Sequence, residues 1–183
     1  MLPDPLLWLL PAVFVLHEVE ETVFLPVWLR RHRSELMSRF PRLSGRLLPR
    51  LDGISRKEFA IMAVEESLLL VGATACASFV SWPYPWLALF LAFGLHLVVH
   101  LFQCLLLWRY VPVVVTSLAG LIYCGWGLGQ MVGGRLFDFR EYLLCGVAGV
   151  VVAVFYPILF ASFSLSFPRH SNPCLVSRCR SSC

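Results

Sequence analysis

Charge is what this sequence of 183 residues has least of. Only 14% of them are Asp, Glu, Lys or Arg, where a soluble domain averages about 25%. That shortage excludes a soluble globular fold. With 58% hydrophobic residues and a mean hydropathy of +0.76, the chain holds more apolar surface than one core of this size can hide. Lipid as solvent removes the difficulty. A basic, cleavable leader is not expected either: the chain opens Met1-Leu2-Pro3-Asp4, and no small-x-small site follows the first apolar run. That run is expected to be a retained helix. No internal repeat is visible, so the inverted-repeat architecture of many transporters has no support. At this length there is no room for a separate soluble catalytic domain.

The seven cysteines form no disulfide framework. Cys76, Cys104, Cys124 and Cys145 fall inside apolar runs, where a thiol behaves as a small apolar side chain. Cys174, Cys179 and Cys183 lie in the tail at poor spacing for zinc. Palmitoylation could use them, but a disordered tail with incidental thiols is the simpler expectation.

What the sequence does have is five apolar runs, at about 6–29, 59–82, 86–108, 111–132 and 142–163. Each reaches the ~20 residues that cross a hydrocarbon core. Trp28, Trp82, Tyr84, Trp86, Trp108, Tyr110 and Tyr142 sit near their ends, as in an interfacial aromatic belt. The expected fold is all-α: an integral membrane bundle of about five transmembrane helices over residues 1–167, with a tail at 168–183. The links Pro83-Tyr84-Pro85 and Arg109-Tyr110 are tight, so the second, third and fourth helices should be antiparallel neighbours.

Nine of the fifteen basic residues lie between Arg30 and Lys57. With that loop in the cytosol, Arg109, Arg169, Arg178 and Arg180 also fall inside, leaving only Arg135 and Arg140 outside. The N-terminus is then outside and the C-terminus cytosolic, in a multi-pass protein of the bacterial inner membrane or an equivalent cellular membrane. Within loop 30–58, Leu36, Phe40, Leu43, Leu47 and Leu51 recur at helical spacing, with Arg39, Arg42, Arg46 and Arg50 between them. The pattern suits an anionic leaflet as well as an ordinary positive-inside loop. Pro41, Gly45 and Pro49 limit it to short helical turns. Because spans flank the block, membrane lipid rather than nucleic acid is the expected partner. Gly125, Gly129 and Gly133, and likewise Cys145, Gly149 and Ala153, recur every four residues. Such stripes let helices approach closely. Packing within the monomer is the expected use, and a homodimer face is the alternative.

Against this background stand ionisable residues inside three spans. The first carries His17, Glu18, Glu20 and Glu21, the second Glu65 and Glu66, and the third His96 and His100, followed by Gln103. Each charge near mid-bilayer costs about 2.5–3.5 kcal/mol. Such groups persist only if protonated, paired, hydrated or bound to metal. At 100° per residue, His17, Glu20 and Glu21 fall within roughly 100° of arc, and His96, His100 and Gln103 within roughly 60°. Glu18 points about 100° from His17 and is expected outside the cluster. Glu65 and Glu66 are also about 100° apart, so one faces inward better than the other. Counted from the cytosolic ends, all three sets lie at depths of about 9–18 Å. Pro11, before His17, is expected to kink the first helix and free a carbonyl.

Histidines with carboxylates suit zinc, iron or manganese, and imidazoles at i and i+4 can hold one ion. The candidate ligands are His17, Glu20, Glu21, Glu65, Glu66, His96 and His100. Gln103 would stand behind them, orienting a ligand. Glu21, Glu65 or Glu66 would act as general base on a metal-activated water, or the metal would support oxidative chemistry. This reads as a metal-dependent membrane enzyme, hydrolase or oxygenase, acting on a lipid or other apolar substrate. A proton or divalent-metal carrier is the first alternative, since Asp/Glu/His chains also build relays. Its path would need the outer half, which offers little beyond Ser67, Thr74, Ser78, Thr116 and Ser117. A non-catalytic membrane scaffold is the second alternative.

His17-Glu18-Val19-Glu20-Glu21 resembles the His-x-x-Glu-Glu signature of the HXXEE family of small membrane proteins. His100-Leu101-Phe102-Gln103, Arg109-Tyr110-Val111-Pro112 and Thr116 resemble that family's later segment of His, Gln, Arg-Tyr-x-Pro-Gly and Thr. The likeness covers roughly the first four helices. It implies a membrane protein with a polar site of unknown activity, and supplies no substrate. Val113 stands where the family's glycine is expected, so the turn into the fourth helix is expected to differ.

Overall fold

A computed structural model describes residues 2–42, 44–45 and 56–166, with the side chains of 57–155 described in the last stretch. Among the described residues there are five helices and no strands: α1 (Asp4–Arg39), α2 (Arg56–Phe79), α3 (Tyr84–Leu107), α4 (Val114–Gly133) and α5 (Phe139–Ser166). Three are long and apolar enough to cross a membrane: α2 from Lys57, α3 and α4. α1 carries Glu18, Glu20 and Glu21 within the stretch that would cross, and so breaks the apolar run. Large apolar side chains cover the outside, among them Leu68, Leu105, Ile122 and Val132, each more than 60% exposed. Such a surface is untenable in water.

α3 is the hub and packs against all four other helices, while α1 also packs against α2 and α4. Consecutive helices from α2 to α4 are neighbours as expected, although α2 and α4 do not touch each other. The core lies where α1, α3 and α4 meet. Trp86 stacks on Phe90 at 5.0 Å, and the Tyr123 ring meets Phe90 edge-on at 5.8 Å. Leu6, Leu10, Leu97 and Met131 are fully buried beside them.

α1 runs unbroken through Pro11 and Pro26. Proline has no N–H, so Pro11 leaves the Leu7 carbonyl without its helical donor. The Trp86 indole Nε1 donates to that oxygen at 3.3 Å. One turn of α1 is thereby tied to α3, and the Tyr123 hydroxyl ties it to α4 by donating to the Leu6 carbonyl at 2.7 Å.

Three expectations are corrected. Residues 30–39 do not form short turns; they extend α1 as one helix. The extension is clamped to the end of α3, with Arg39 Nη1 donating to the Leu107 carbonyl at 2.8 Å and Arg109 Nε 3.1 Å from Glu35 Oε1. A guanidinium on the last carbonyls of a helix satisfies acceptors that have no intrahelical donor. The rest of the amphipathic pattern, including Leu43, Arg46, Leu47, Arg50 and Leu51, lies outside the described residues, as does the tail at 168–183.

The stripe Gly125, Gly129 and Gly133 packs against none of the described residues, for a Cβ at any of the three would meet nothing within 4 Å. The glycines of α4 that approach its neighbours are Gly120, where a Cβ would press on Leu97 at 2.6 Å, and Gly127, where it would press on Leu6 at 2.8 Å and Phe90 at 2.9 Å. The α5 stripe is internal in part: a Cβ at Gly149 would collide with the Ala88 carbonyl oxygen of α3 and Cys145 is buried, whereas Ala153 is exposed.

The turn into α4 keeps a glycine-type backbone despite its valine. Val113 is the N-cap, at φ 83° and ψ −10°, and is fully buried. A β-branched residue with positive φ is strained. Its carbonyl accepts from the Ser117 N–H at 2.9 Å and so opens the helix.

Candidate metal centre

Two helices bring the central groups together, each by the i, i+4 spacing that stacks side chains on one face. α1 supplies His17 and Glu21; α3 supplies His96 and His100. Four ligand atoms, one from each residue, all lie within 4.8 Å of one another. Glu21 Oε2 is the focus, at 3.7 Å from His17 Nε2, 3.5 Å from His96 Nε2 and 3.4 Å from His100 Nε2. His96 Nε2 and His100 Nε2 are 2.9 Å apart. The Phe93 ring meets His17 edge-on at 5.8 Å and walls off one side.

The hydrogen-bond network fixes how His17 is protonated. Glu20 Oε2 accepts from the Thr116 hydroxyl at 2.5 Å and from the Thr116 backbone N–H at 3.3 Å. With the hydroxyl proton on the Glu20 carboxylate, closer at 2.5 Å than the Val113 carbonyl at 3.3 Å, the hydroxyl accepts from His17 Nδ1, 2.9 Å away. His17 Nδ1 therefore carries the hydrogen, and Nε2 presents a lone pair to the other three groups. That Nε2 is buried without a hydrogen-bond partner among the described residues, as is His100 Nδ1. A bare imidazole nitrogen facing a carboxylate oxygen is two acceptors opposed. Either a shared proton or a metal cation between them relieves that repulsion.

These residues fit a metal ion. Bonds of about 2.0–2.1 Å from nitrogen or oxygen to zinc in a tetrahedral set place the ligand atoms about 3.3 Å apart. The three contacts to Glu21 are within 0.4 Å of that figure; around an ion the His96–His100 pair at 2.9 Å would open and the widest pair, at up to 4.8 Å, would close. A chain running carboxylate, hydroxyl, imidazole behind the ligand atom is the outer support that orients metal-binding histidines.

The other candidates fall elsewhere. Glu20 is not among the four. Its carboxylate reaches past the site to the first turn of α4, where it fills an N-terminal donor that the helix cannot satisfy itself. Glu66 is half-buried and lines a cavity together with His96 and Glu18. Glu65 is exposed on the adjoining face of α2. Gln103 is exposed and outside the four-residue group. Glu18 is outside that group as expected, yet it is only 8% exposed. Thr116 was expected as one polar residue of the outer half, and instead connects Glu20 to His17. Its place in the recurring Arg-Tyr-x-Pro segment was the one signal in the sequence. Cys76, Cys104, Cys124 and Cys145 are free thiols and take no part.

A protein-family model described as "Protein of unknown function with HXXEE motif" matches residues 8–127. No curated protein and no solved structure matches the chain.

Proposed function

The chain belongs to the HXXEE family, and from the site it carries we propose that it is a membrane-embedded, metal-dependent enzyme acting on a lipid or other apolar substrate. The observation that carries this reading is the bare, buried Nε2 of His17 facing Glu21, His96 and His100, with all four ligand atoms within 4.8 Å. His17, Glu21, His96 and His100 hold the ion. Zinc there would supply a Lewis acid for hydrolysis, and iron would supply redox chemistry toward dioxygen. Glu20 and Thr116 orient His17 from behind. Glu66, on the cavity wall with His96, is the better placed of the two α2 carboxylates to move a proton.

The five helices are read as five spans of a multi-pass protein, with the N-terminus outside and the basic segment 30–58 on a cytosolic, anionic leaflet. The distribution of arginines supports this, as does the apolar exterior. The α1 extension, clamped by Arg39 and Arg109 to the end of α3, places those basic groups together at the same end of the bundle.

The test is metal analysis of gently purified protein beside a His96→Ala/His100→Ala double variant. About one transition-metal equivalent in the wild type, lost in the variant, is expected. Zinc assigns hydrolysis and iron assigns oxidation. A metal-free wild type that also fails to take up added zinc, iron or manganese would overturn the reading.

A further inference from the structure

The four candidate ligands are not equally enclosed. The side chains of His17, Glu21 and His100 are 0%, 12% and 6% exposed, whereas His96 is 41% exposed. The group is therefore most open at His96. A cavity of about 150 Å³ lies there, between α1, α2, α3 and α5. Phe14 and Phe93 belong to its apolar wall, Ala153 is at its exposed rim, and His96, Glu18 and Glu66 are the polar groups that line it.

We propose that this cavity is the substrate site, and that it seats one hydrocarbon chain of an amphiphile whose polar group lies at the His96 end. The proposal rests on the metal reading above and adds the substrate class and its direction of entry. An apolar space of this size holds about six carbons, the size of a benzene ring. A longer chain continues past Ala153 into the lipid that covers the apolar exterior. The substrate thus comes sideways from the bilayer, not from water along the bundle axis. Glu18 and Glu66 flank its polar end and accept hydrogen bonds from a hydroxyl or amine group there.

The experiment uses the full chain in detergent, loaded with cobalt(II), whose visible spectrum reports the ligand set. Straight-chain hydroxamates of two to six carbons are the probe, because the hydroxamate group seeks the metal and the chain samples the cavity. In the wild type, affinity should rise about three- to fourfold per methylene. Ala153→Phe, at an exposed rim position, should leave acetohydroxamate binding and the cobalt spectrum unchanged and abolish the chain-length gain. Leu89→Ala, which enlarges the cavity wall, should extend the gain to longer chains. A wild type with no chain-length gain, or a gain that survives Ala153→Phe unchanged, overturns the cavity proposal and leaves the metal reading standing. Failure of cobalt to bind removes the metal reading, and this proposal falls with it.

Discussion

Thr116→Val is the sharpest perturbation of the metal centre, because it removes one oxygen and keeps the shape. The Thr116 hydroxyl accepts from His17 Nδ1 at 2.9 Å and donates to Glu20 at 2.5 Å. The His17 side chain is fully buried, so no water replaces the lost acceptor. An unsatisfied buried donor costs about 1–3 kcal/mol. The imidazole escapes that cost by moving its proton to Nε2, the nitrogen that faces Glu21, His96 and His100. A metal must then displace this proton, so the penalty reappears in metal affinity as a loss of about 10–100-fold. Glu20 keeps the Thr116 backbone N–H at 3.3 Å, so α4 retains its N-terminal partner and the fold should survive. The assay is competition for zinc between the purified protein and a chromophoric chelator, with unfolding temperature measured alongside. Thr116→Ser restores the hydroxyl and should bind within about threefold of wild type, by the same outer-support argument. Glu21→Gln, which alters a ligand itself, should lose more than Thr116→Val. If Thr116→Val binds zinc as tightly as wild type while the double-histidine variant does not, the relay does not support the site and the assigned tautomer is wrong.

Three other expectations concern the fold. At Val113, φ 83° costs a side-chain-bearing residue about 1–2 kcal/mol. Val113→Ala keeps that strain and loses packing, whereas Val113→Gly loses packing but relieves the strain, at about 0.5–1 kcal/mol of chain entropy. The glycine variant should therefore unfold at a higher temperature than the alanine variant, and the reverse order would refute the strain. Gly149→Ala places a Cβ against the Ala88 carbonyl and should destabilise by about 1–3 kcal/mol. Gly129→Ala, with open space around it, should be neutral or gain up to about 1 kcal/mol from helix propensity. Equal effects in denaturant titrations would contradict the packing described. Trp86→Phe removes the indole donor to the Leu7 carbonyl, but Pro11→Ala supplies a backbone N–H for it. The cost of Trp86→Phe should then fall by about 1 kcal/mol in the Pro11→Ala background, and strict additivity would sink that account.

Composition alone decided the solvent, because no arrangement of so few charges could cover so apolar a chain. Run lengths decided the helices, and the cost of ionisable groups in lipid marked the residues that needed an explanation. Helical periodicity also paired His17 with Glu21 and His96 with His100, since residues four apart must share a face. It could not decide how each helix is turned toward its neighbours, which depends on contacts such as Gly149 on Ala88 and Trp86 on Leu7. That rotation made Glu21 a candidate ligand and its neighbour Glu20 a cap for α4, although the two differ by about 100° on one helix. It also set Glu66 on a cavity wall and Glu65 outside, and turned Gly125, Gly129 and Gly133 away from the core they were expected to join. A sequence fixes angles about a helix's own axis; only packing fixes where that axis stands and which way the helix is turned.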